Sequence, residues 1–401
     1  MKKYMRRSMA LLLALCCCLG CASIACAADS WAAVSMDANT LGLGFLIEPT
    51  MVNISEQPKA SVAITDLLKE NITGVEQPWK MTGNIESAFY LSQVYCPNQK
   101  DAKVADYILK VLDELGAQPN YESRNDDWLG EFDYYTMSGW MYSVDGSFPP
   151  VGAADYTLKN ADVMRWQFTV YGYGSDLNAD NSAWGSKSIV DSGNKDDLTW
   201  LVAYLNSRFD KSDLKKLDAY NDAMEALQNP EINQDSLNSV FDNLLVACEL
   251  YRDITTASDS FAAINRLTAW HLLNGTGNGN FEPDTPMTKA MFLTVLYRMA
   301  DSPAVTGNAA AGLSAWAQPA ATWAVQTGLI TSDEAASMTM SETATADECL
   351  RWTSGCVKAL TETESDLASD LEQAETITRA QAAEILAEAH LAIKTAVKTA
   401  I

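Results

Sequence analysis

The chain has 401 residues, 48% of them hydrophobic, with 28 basic against 52 acidic side chains and a formal charge of −24. That length supports two or three domains with separate cores, not one. So acidic a surface repels phosphate backbones and anionic lipid, which argues against a nucleic-acid partner.

Residues 1–27 read as an export signal: basic Lys2, Lys3, Arg6 and Arg7, an apolar run too short to span a bilayer, then small residues in an A-x-A pattern at Ala25, Cys26 and Ala27. Cleavage near Ala27 or Ala28 is expected. Cys21, preceded by Leu19 and Gly20, is the competing lipidation site, although Cys18 stands where a lipoprotein signal carries Leu. Removing the signal leaves 24 basic against 52 acidic residues, a formal charge of −28. No later segment is apolar enough to be an integral membrane span, so an extracellular location is expected. Of nine cysteines, only Cys96, Cys248, Cys349 and Cys356 follow the signal. They are too sparse for a disulfide scaffold. Cys349 and Cys356 would lie about 10 Å apart along a helix and read as buried free thiols.

Four zones follow. Residues 30–178 mix strands and helices, the α+β class. "GFLIEPTMVNI" has strand composition, "ASVAITDLLKEN" suits a short helix, and Val104, Ile108, Val111, Leu112 and Leu115 fall on one helical face that Gly116 should end. From Ser138 the period becomes two: Trp140, Tyr142 and Val144 point one way, Met141 and Ser143 the other, and Asp145-Gly146 signals a hairpin turn. "VMRWQFTV" sets Met164, Trp166, Phe168 and Val170 against Val163, Arg165, Gln167 and Thr169. Residues 179–194 form a Gly, Ser, Asn and Asp-rich linker.

Residues 195–254 read as an all-α spacer. Leu214, Leu217, Tyr220, Met224 and Leu227 fit one helix, and Leu237, Phe241, Leu244, Leu245 and Cys248 fit another that Asn233 or Asp235 could cap. Residues 257–396 are also all-α and carry a decayed internal repeat.

Little here reads as chemistry. His271 and His390 lack partners for a triad or a zinc site, and Asp126, Asp127, Glu131 and Asp133 read as a solvated acidic loop. Asp176 to Asn181 begins like a calcium loop but has Asn181 where glycine belongs and Lys187 where the closing glutamate belongs. Gly275, Gly277 and Gly279 follow a helix with the wrong spacing for a phosphate loop. No catalytic residue, metal or certain cofactor is assigned. The aromatics Trp128, Tyr134, Tyr135, Trp140, Tyr142, Phe148, Trp166, Tyr171 and Tyr173 are dense and have two readings, a small core or a surface for a planar or sugar-like ligand, with Tyr135, Trp140, Tyr142, Phe148 and Trp166 the candidates for contact.

"AINRLTAWHLLNGTGNGNFEPDTPMTKAMFLTVLYRMA", Ala263 to Ala300, resembles the S-layer homology repeat. A second copy shows in "WAQPAATWAVQTGLI" followed by "TADECLRW", and a third in "ITRAQAAEILAEA". The resemblance implies non-covalent anchoring to wall polysaccharide, often pyruvylated, through Trp270, Gly275, Gly277, Lys289, Trp323, Thr378 and Arg379. Lys289 departs from the family's Arg in the first tetrad, and the second tetrad has Asp347 and no basic residue, so at most two of three grooves are expected to be competent. "SGWMYSVDGSFPPVGAADYTLKNADVMRWQFT" and "SVAITDLL" resemble the C-terminal domain of transcobalamin and its bacterial relatives. That implies a β-grasp fold, with a corrinoid as candidate ligand. Residues 195–254 look like a FIVAR-type spacer. Together these imply a non-enzymatic surface protein that displays a module for a soluble ligand. The alternative is a structural or adhesive protein whose module contacts another surface protein.

Overall fold

The computed structural model describes residues 30–179, 187–248, 250–277, 279–362 and 376–399; the export signal, Cys21 and the last two residues of the Asp176–Asn181 stretch lie outside them. The chain forms two compact units, Asp29–Ala247 and Cys248–Ile401.

In the first unit β1 (Trp31–Asp37) and β2 (Phe45–Asn53) pair antiparallel and lead into α1 (Ala60–Asn71). β3 (Trp79–Asn84), β4 (Ser87–Tyr95), α2 (Asp106–Glu114) and β5 (Trp128–Gly130) follow, and β6 (Gly139–Val144) and β7 (Val163–Thr169) complete the strands. One sheet has the order β2-β1-β7-β6, with β1 and β7 parallel and the outer pairs antiparallel; the second has the order β3-β4-β5. The unit is therefore a mixed, sheet-rich region followed by helices.

Alternation along the strands divides the first sheet into two faces. Ala32, Val34 and Met36 of β1, Trp140, Tyr142 and Val144 of β6, and Met164, Trp166 and Phe168 of β7 join Ile64 and Leu68 of α1 in one buried core. The other set includes Ala33, Ser35, Asp37, Val163, Arg165 and Gln167. Here the structure corrects the reading of residues 195–254 as a detached spacer. α3 (Asp196–Arg208) packs on β1, β2 and β7, and Ala33 and Val163 are buried at 0% and 2% exposure. A sheet with apolar residues on both faces needs a second cover.

α4 (Lys211–Leu214), α5 (Asp218–Gln228) and α6 (Gln234–Ala247) finish the unit. The expected single helix through Leu214 and Leu227 is broken, because Leu217 has extended backbone before α5. Asn233 supplies the cap of α6, its Oδ1 accepting from Ser236 N at 2.9 Å. Lys195, just before α3, is buried and donates through Nζ to the Leu227 and Asn229 carbonyls at 2.9 and 2.6 Å. It thereby satisfies carbonyls that the end of α5 leaves open. Burial pulls this lysine down to about 7, aided by Arg165 and opposed by Asp37.

Two turn expectations have different outcomes. Gly116 takes φ +67° at the end of α2, and Ala117 N donates back to the Leu112 carbonyl at 2.8 Å, a helix stop that glycine accommodates. Asp145 and Gly146 do form a tight turn, with φ +49° and +77°, but it closes on Ser147 and not on β7. The chain runs on to Val163 before β7 pairs with β6, so the Asp-Gly signal marks a local turn at the end of β6.

The second unit is helical among the described residues: α7 (Phe261–Ala269), α8 (Lys289–Met299), α9 (Gln318–Gln326), α10 (Ser332–Ser337), α11 (Ala346–Thr361) and α12 (Arg379–Thr399). Three backbone hydrogen bonds form a closed ring at its centre. Met287 N donates to Ile377 O at 2.9 Å, Ile377 N to Ala344 O at 3.1 Å, and Ala344 N to Met287 O at 2.9 Å. The next residue in each case, Thr288, Thr345 or Thr378, accepts at Oγ1 from the backbone N–H three positions on. The threonine that opens each tetrad is thus a helix N-cap, and Glu348 and Gln381 return the bond to the cap's own N–H. Cys349 and Cys356 are buried free thiols on α11. Among the described residues, no helix is long and apolar enough to cross a membrane.

Candidate functional site

Of the residues proposed to contact wall polymer, Lys289, Thr378 and Arg379 stand at the starts of α8 and α12, whereas Trp270 follows α7 and Trp323 lies on α9. Lys289 opens α8, and its Nζ lies 2.7 Å from Glu342 Oε1 and 2.5 Å from Glu348 Oε1. Burial opposes its charge, but the hydrogen bonds and charges of the two carboxylates outweigh this and hold it above the ordinary lysine value. A cavity of about 60 Å³ beside it is lined by Lys289, Glu334, Ser337, Met338, Glu342, Glu348 and Trp352. Lys289 is thus already neutralised from within the protein, and its cavity is far smaller than a ligand pocket.

Arg379 opens α12 and is 4% exposed. Its Nε donates to the Phe281 carbonyl at 3.0 Å and its Nη2 to the Asn274 carbonyl at 2.8 Å, while the guanidinium stands 4.6 Å from the Phe281 ring centre. Burial lowers its pKa, with Tyr251, Glu282 and Asp253 opposing. The fork ties the third tetrad to the glycine turn after α7. At the matching position of the second tetrad stands Ala346, which is buried. Only Lys289 of the two basic candidates keeps a part of its side chain in contact with solvent.

The remaining candidates are structural in their geometry. Trp270 is buried edge-on against His390 at 5.6 Å, and Trp323 is buried against Tyr297 at 5.8 Å. Thr378 caps α12. A side chain at Gly275 would collide with the Tyr251 ring and the Asn280 carbonyl, so this glycine serves close packing inside the protein. Gly277 is exposed at φ +116° with no atom within 4 Å of where a side chain would begin, so this backbone is open to an approaching ligand.

In the first unit the structure corrects most of the aromatic ligand surface. Trp140 and Trp166 are 7% and 3% exposed, and Tyr142 is 9% exposed. Trp140 Nε1 donates to the Leu129 carbonyl at 2.9 Å, Tyr142 hydroxyl to the Val151 carbonyl at 2.7 Å, and Tyr142 stacks on Trp166 at 5.2 Å. These three are core residues because they occupy the inward positions of β6 and β7. Tyr135 and Phe148 are half-buried, with Tyr135 lying 6.0 Å from Tyr171.

Against this geometry two family matches can be set. Residues 250–291 match the S-layer homology domain. Residues 106–170 match a domain of unknown function, DUF4430. No curated protein and no solved structure matches the chain. The first match covers α7, the glycine turn and the start of α8, Lys289 included, and marks a cell-surface protein of the kind whose domains bind wall polysaccharide. The second covers α2 to the end of β7, and so the whole of the Ser138–Thr169 segment.

Sequence reasoning missed two exposed aromatics, Tyr90 on β4 and Phe132 after β5, at 43% and 60% exposure; Tyr173 after β7, one of the aromatics it did name, is 56% exposed. Phe132 and Tyr173 hold φ +68° and +53°, a left-handed region that costs a residue with a side chain about 1–2 kcal/mol. The available signal was aromatic residues beside turn formers, "EFDYY" and "GYGS". The Asp176 carboxylate, first residue of the supposed calcium loop, turns inward and accepts from Thr169 Oγ1 at 2.5 Å, Val170 N at 2.7 Å and Tyr171 N at 3.1 Å. It pins the turn that carries Tyr173 and is not presented to a cation. A groove of about 430 Å³ between β2 and α5 is lined by Glu48, Lys215, Tyr220, Asn221, Met224, Glu225 and Gln228. Its volume falls in the range of small-molecule sites.

Proposed function

We propose that this is an exported protein held non-covalently on wall polysaccharide by residues 257–396, with residues 30–178 displayed as a β-grasp module that binds a soluble ligand. The observation that carries the anchoring part is the S-layer homology match across the glycine turn and Lys289. The ring of hydrogen bonds among Met287, Ile377 and Ala344, each followed by a capping threonine, supports the reading of three repeats about one axis. For the displayed part, support comes from the sheet order with a parallel central pair and a helix after the first hairpin. The reading assigns binding, not catalysis.

Two experiments test it. Mature protein should sediment with purified wall that retains its secondary polysaccharide and stay in solution with wall stripped of it; equal behaviour with both would defeat the anchoring claim. A corrinoid is the ligand class that the resemblance brings, and adding one to the mature chain while following tryptophan fluorescence tests it. Half-buried Trp128 on β5 can report directly, whereas Trp140 and Trp166 would respond only through movement of the core; no saturable change after correction for corrinoid absorbance, with no retention of the corrinoid in equilibrium dialysis, removes this ligand.

A further inference from the structure

Between the first sheet and the start of α3 lies a buried cluster of polar side chains that packing alone does not explain. Asp37 ends β1, Asn39 follows in the turn, and Lys195 precedes α3; they are 1%, 8% and 4% exposed. Asn39 N donates to Asp37 Oδ1 at 3.2 Å. Asn39 Nδ2 and Lys195 Nζ donate to one and the same oxygen, the Leu227 carbonyl, at 3.3 and 2.9 Å. A carboxyl, a carboxamide and an amine from distant parts of the chain thus meet in a site closed to water. Asp37 Oδ2 and Asn39 Oδ1 are buried there with no hydrogen-bond partner among the described residues, Arg165 Nη2 standing 4.0 Å from the former. Two orphaned oxygens on hydrogen-bonded residues call for an explanation.

Protonation supplies one. Burial raises the Asp37 carboxyl, against the charges of Arg165 and Lys195 and the hydrogen bond from Asn39. A protonated Asp37 is a donor, and a bond from Oδ2 to Asn39 Oδ1 would give both oxygens a partner. Burial, with Arg165 and against Asp37, pulls Lys195 down to about 7, so a large share of it is neutral at neutral pH. A neutral amine keeps two N–H bonds for the Leu227 and Asn229 carbonyls and still has a lone pair. A dry amine with a lone pair is a nucleophile, and a carboxamide whose oxygen accepts from a carboxylic acid is a matching electrophile.

We propose that Lys195 and Asn39 join spontaneously in an intramolecular isopeptide bond, with Asp37 as the acid that polarises the amide carbonyl. Lys195 Nζ attacks Asn39 Cγ; the new C–N bond forms, the bond from Cγ to Nδ2 breaks, a proton passes from Nζ to the departing nitrogen, and ammonia leaves. Asp37 lends its proton to the carbonyl oxygen and recovers it, so the step needs no oxidant and no co-reactant. Holding amine and amide in one site replaces a bimolecular encounter. The product ties the turn after β1 to the start of α3 and so fastens α3 to the sheet that it covers. Cys96, Cys248, Cys349 and Cys356 are free thiols. The bond would give the surface-displayed unit a covalent tie that these cysteines do not supply, whatever the module binds.

The test is the intact mass of the mature full-length chain, incubated folded at mildly alkaline pH and then denatured, with a tryptic digest of the same sample that also fixes its first residue. The parent should weigh about 17 Da less than its sequence, the mass of one ammonia, and its digest should contain the Asn39 peptide joined to the Lys195 peptide. Lys195→Arg and Asn39→Ala should each restore the full mass and leave no joined peptide. Asp37→Asn should slow formation of the joined peptide about tenfold or more. A parent at its full sequence mass overturns the proposal and leaves Lys195 as a cap for the α5 carbonyls alone, a result that does not depend on how any variant folds. A loss of the same size that persists in Lys195→Arg comes from another residue and overturns it equally. A joined peptide that forms at the parent's rate in Asp37→Asn overturns the role given to Asp37.

Discussion

Trp140, Tyr142 and Trp166 lie on strands and are buried, whereas Phe132 and Tyr173 lie in turns and face water. The five side chains are chemically alike. Strand alternation carries the first three inward with their neighbours, whereas in the turns a ring's side is set residue by residue: Phe132 and Tyr134 share φ +68°, yet the first is 60% exposed and the second fully buried. The density of aromatics in this region is therefore no guide to a ligand surface.

The largest expected contrast is in stability. Trp166→Ala should cost about 3–5 kcal/mol, the loss for removing a large aromatic from a packed core, while Phe132→Gly should cost less than about 1 kcal/mol. Urea unfolding of the two variants measures both, and similar losses would erase the distinction between strand and turn aromatics.

The next effect concerns the turn itself. Burial raises the Asp176 carboxyl to about 6, against hydrogen bonds from Thr169, Val170 and Tyr171. A folded pKa above the unfolded one favours the protonated, folded form. Its stabilisation is complete below about 4 and is lost as pH rises through about 6, a loss of about 3 kcal/mol. Unfolding free energy measured from pH 4 to 7 should fall for this reason, and Asp176→Asn should flatten the fall. A variant with the parent's full slope would place the titration elsewhere.

The two basic tetrad residues offer a second pair for comparison. Arg379→Met should destabilise by about 2 kcal/mol, because the Phe281 and Asn274 carbonyls lose their donors. Lys289→Ala removes a partly exposed ion pair and should change stability by less than about 1 kcal/mol. If Lys289 contacts polymer, its variant should nonetheless sediment less with wall. Unchanged sedimentation would show that Glu342 and Glu348 hold this lysine for structure alone.

Periodicity made β6, β7 and their inward faces legible, because a period of two assigns a side to each residue once the strand is known. Gly116 was legible as a helix end for an equally local reason. Three features were not. The amphipathic pattern of α3 shows that it needs a partner but not that the partner is the far face of β1 and β7. Lys289 is neutralised by Glu342 and Glu348, more than fifty residues away, which no spacing rule connects. Phe132 and Tyr173 adopt a backbone that propensity reserves for glycine and asparagine.

Anchoring through polysaccharide is most directly tested by competition. Mature protein bound to purified wall should be released by an excess of the free secondary polysaccharide, at constant salt and pH. Protein that stays with the wall under that excess would contradict the account.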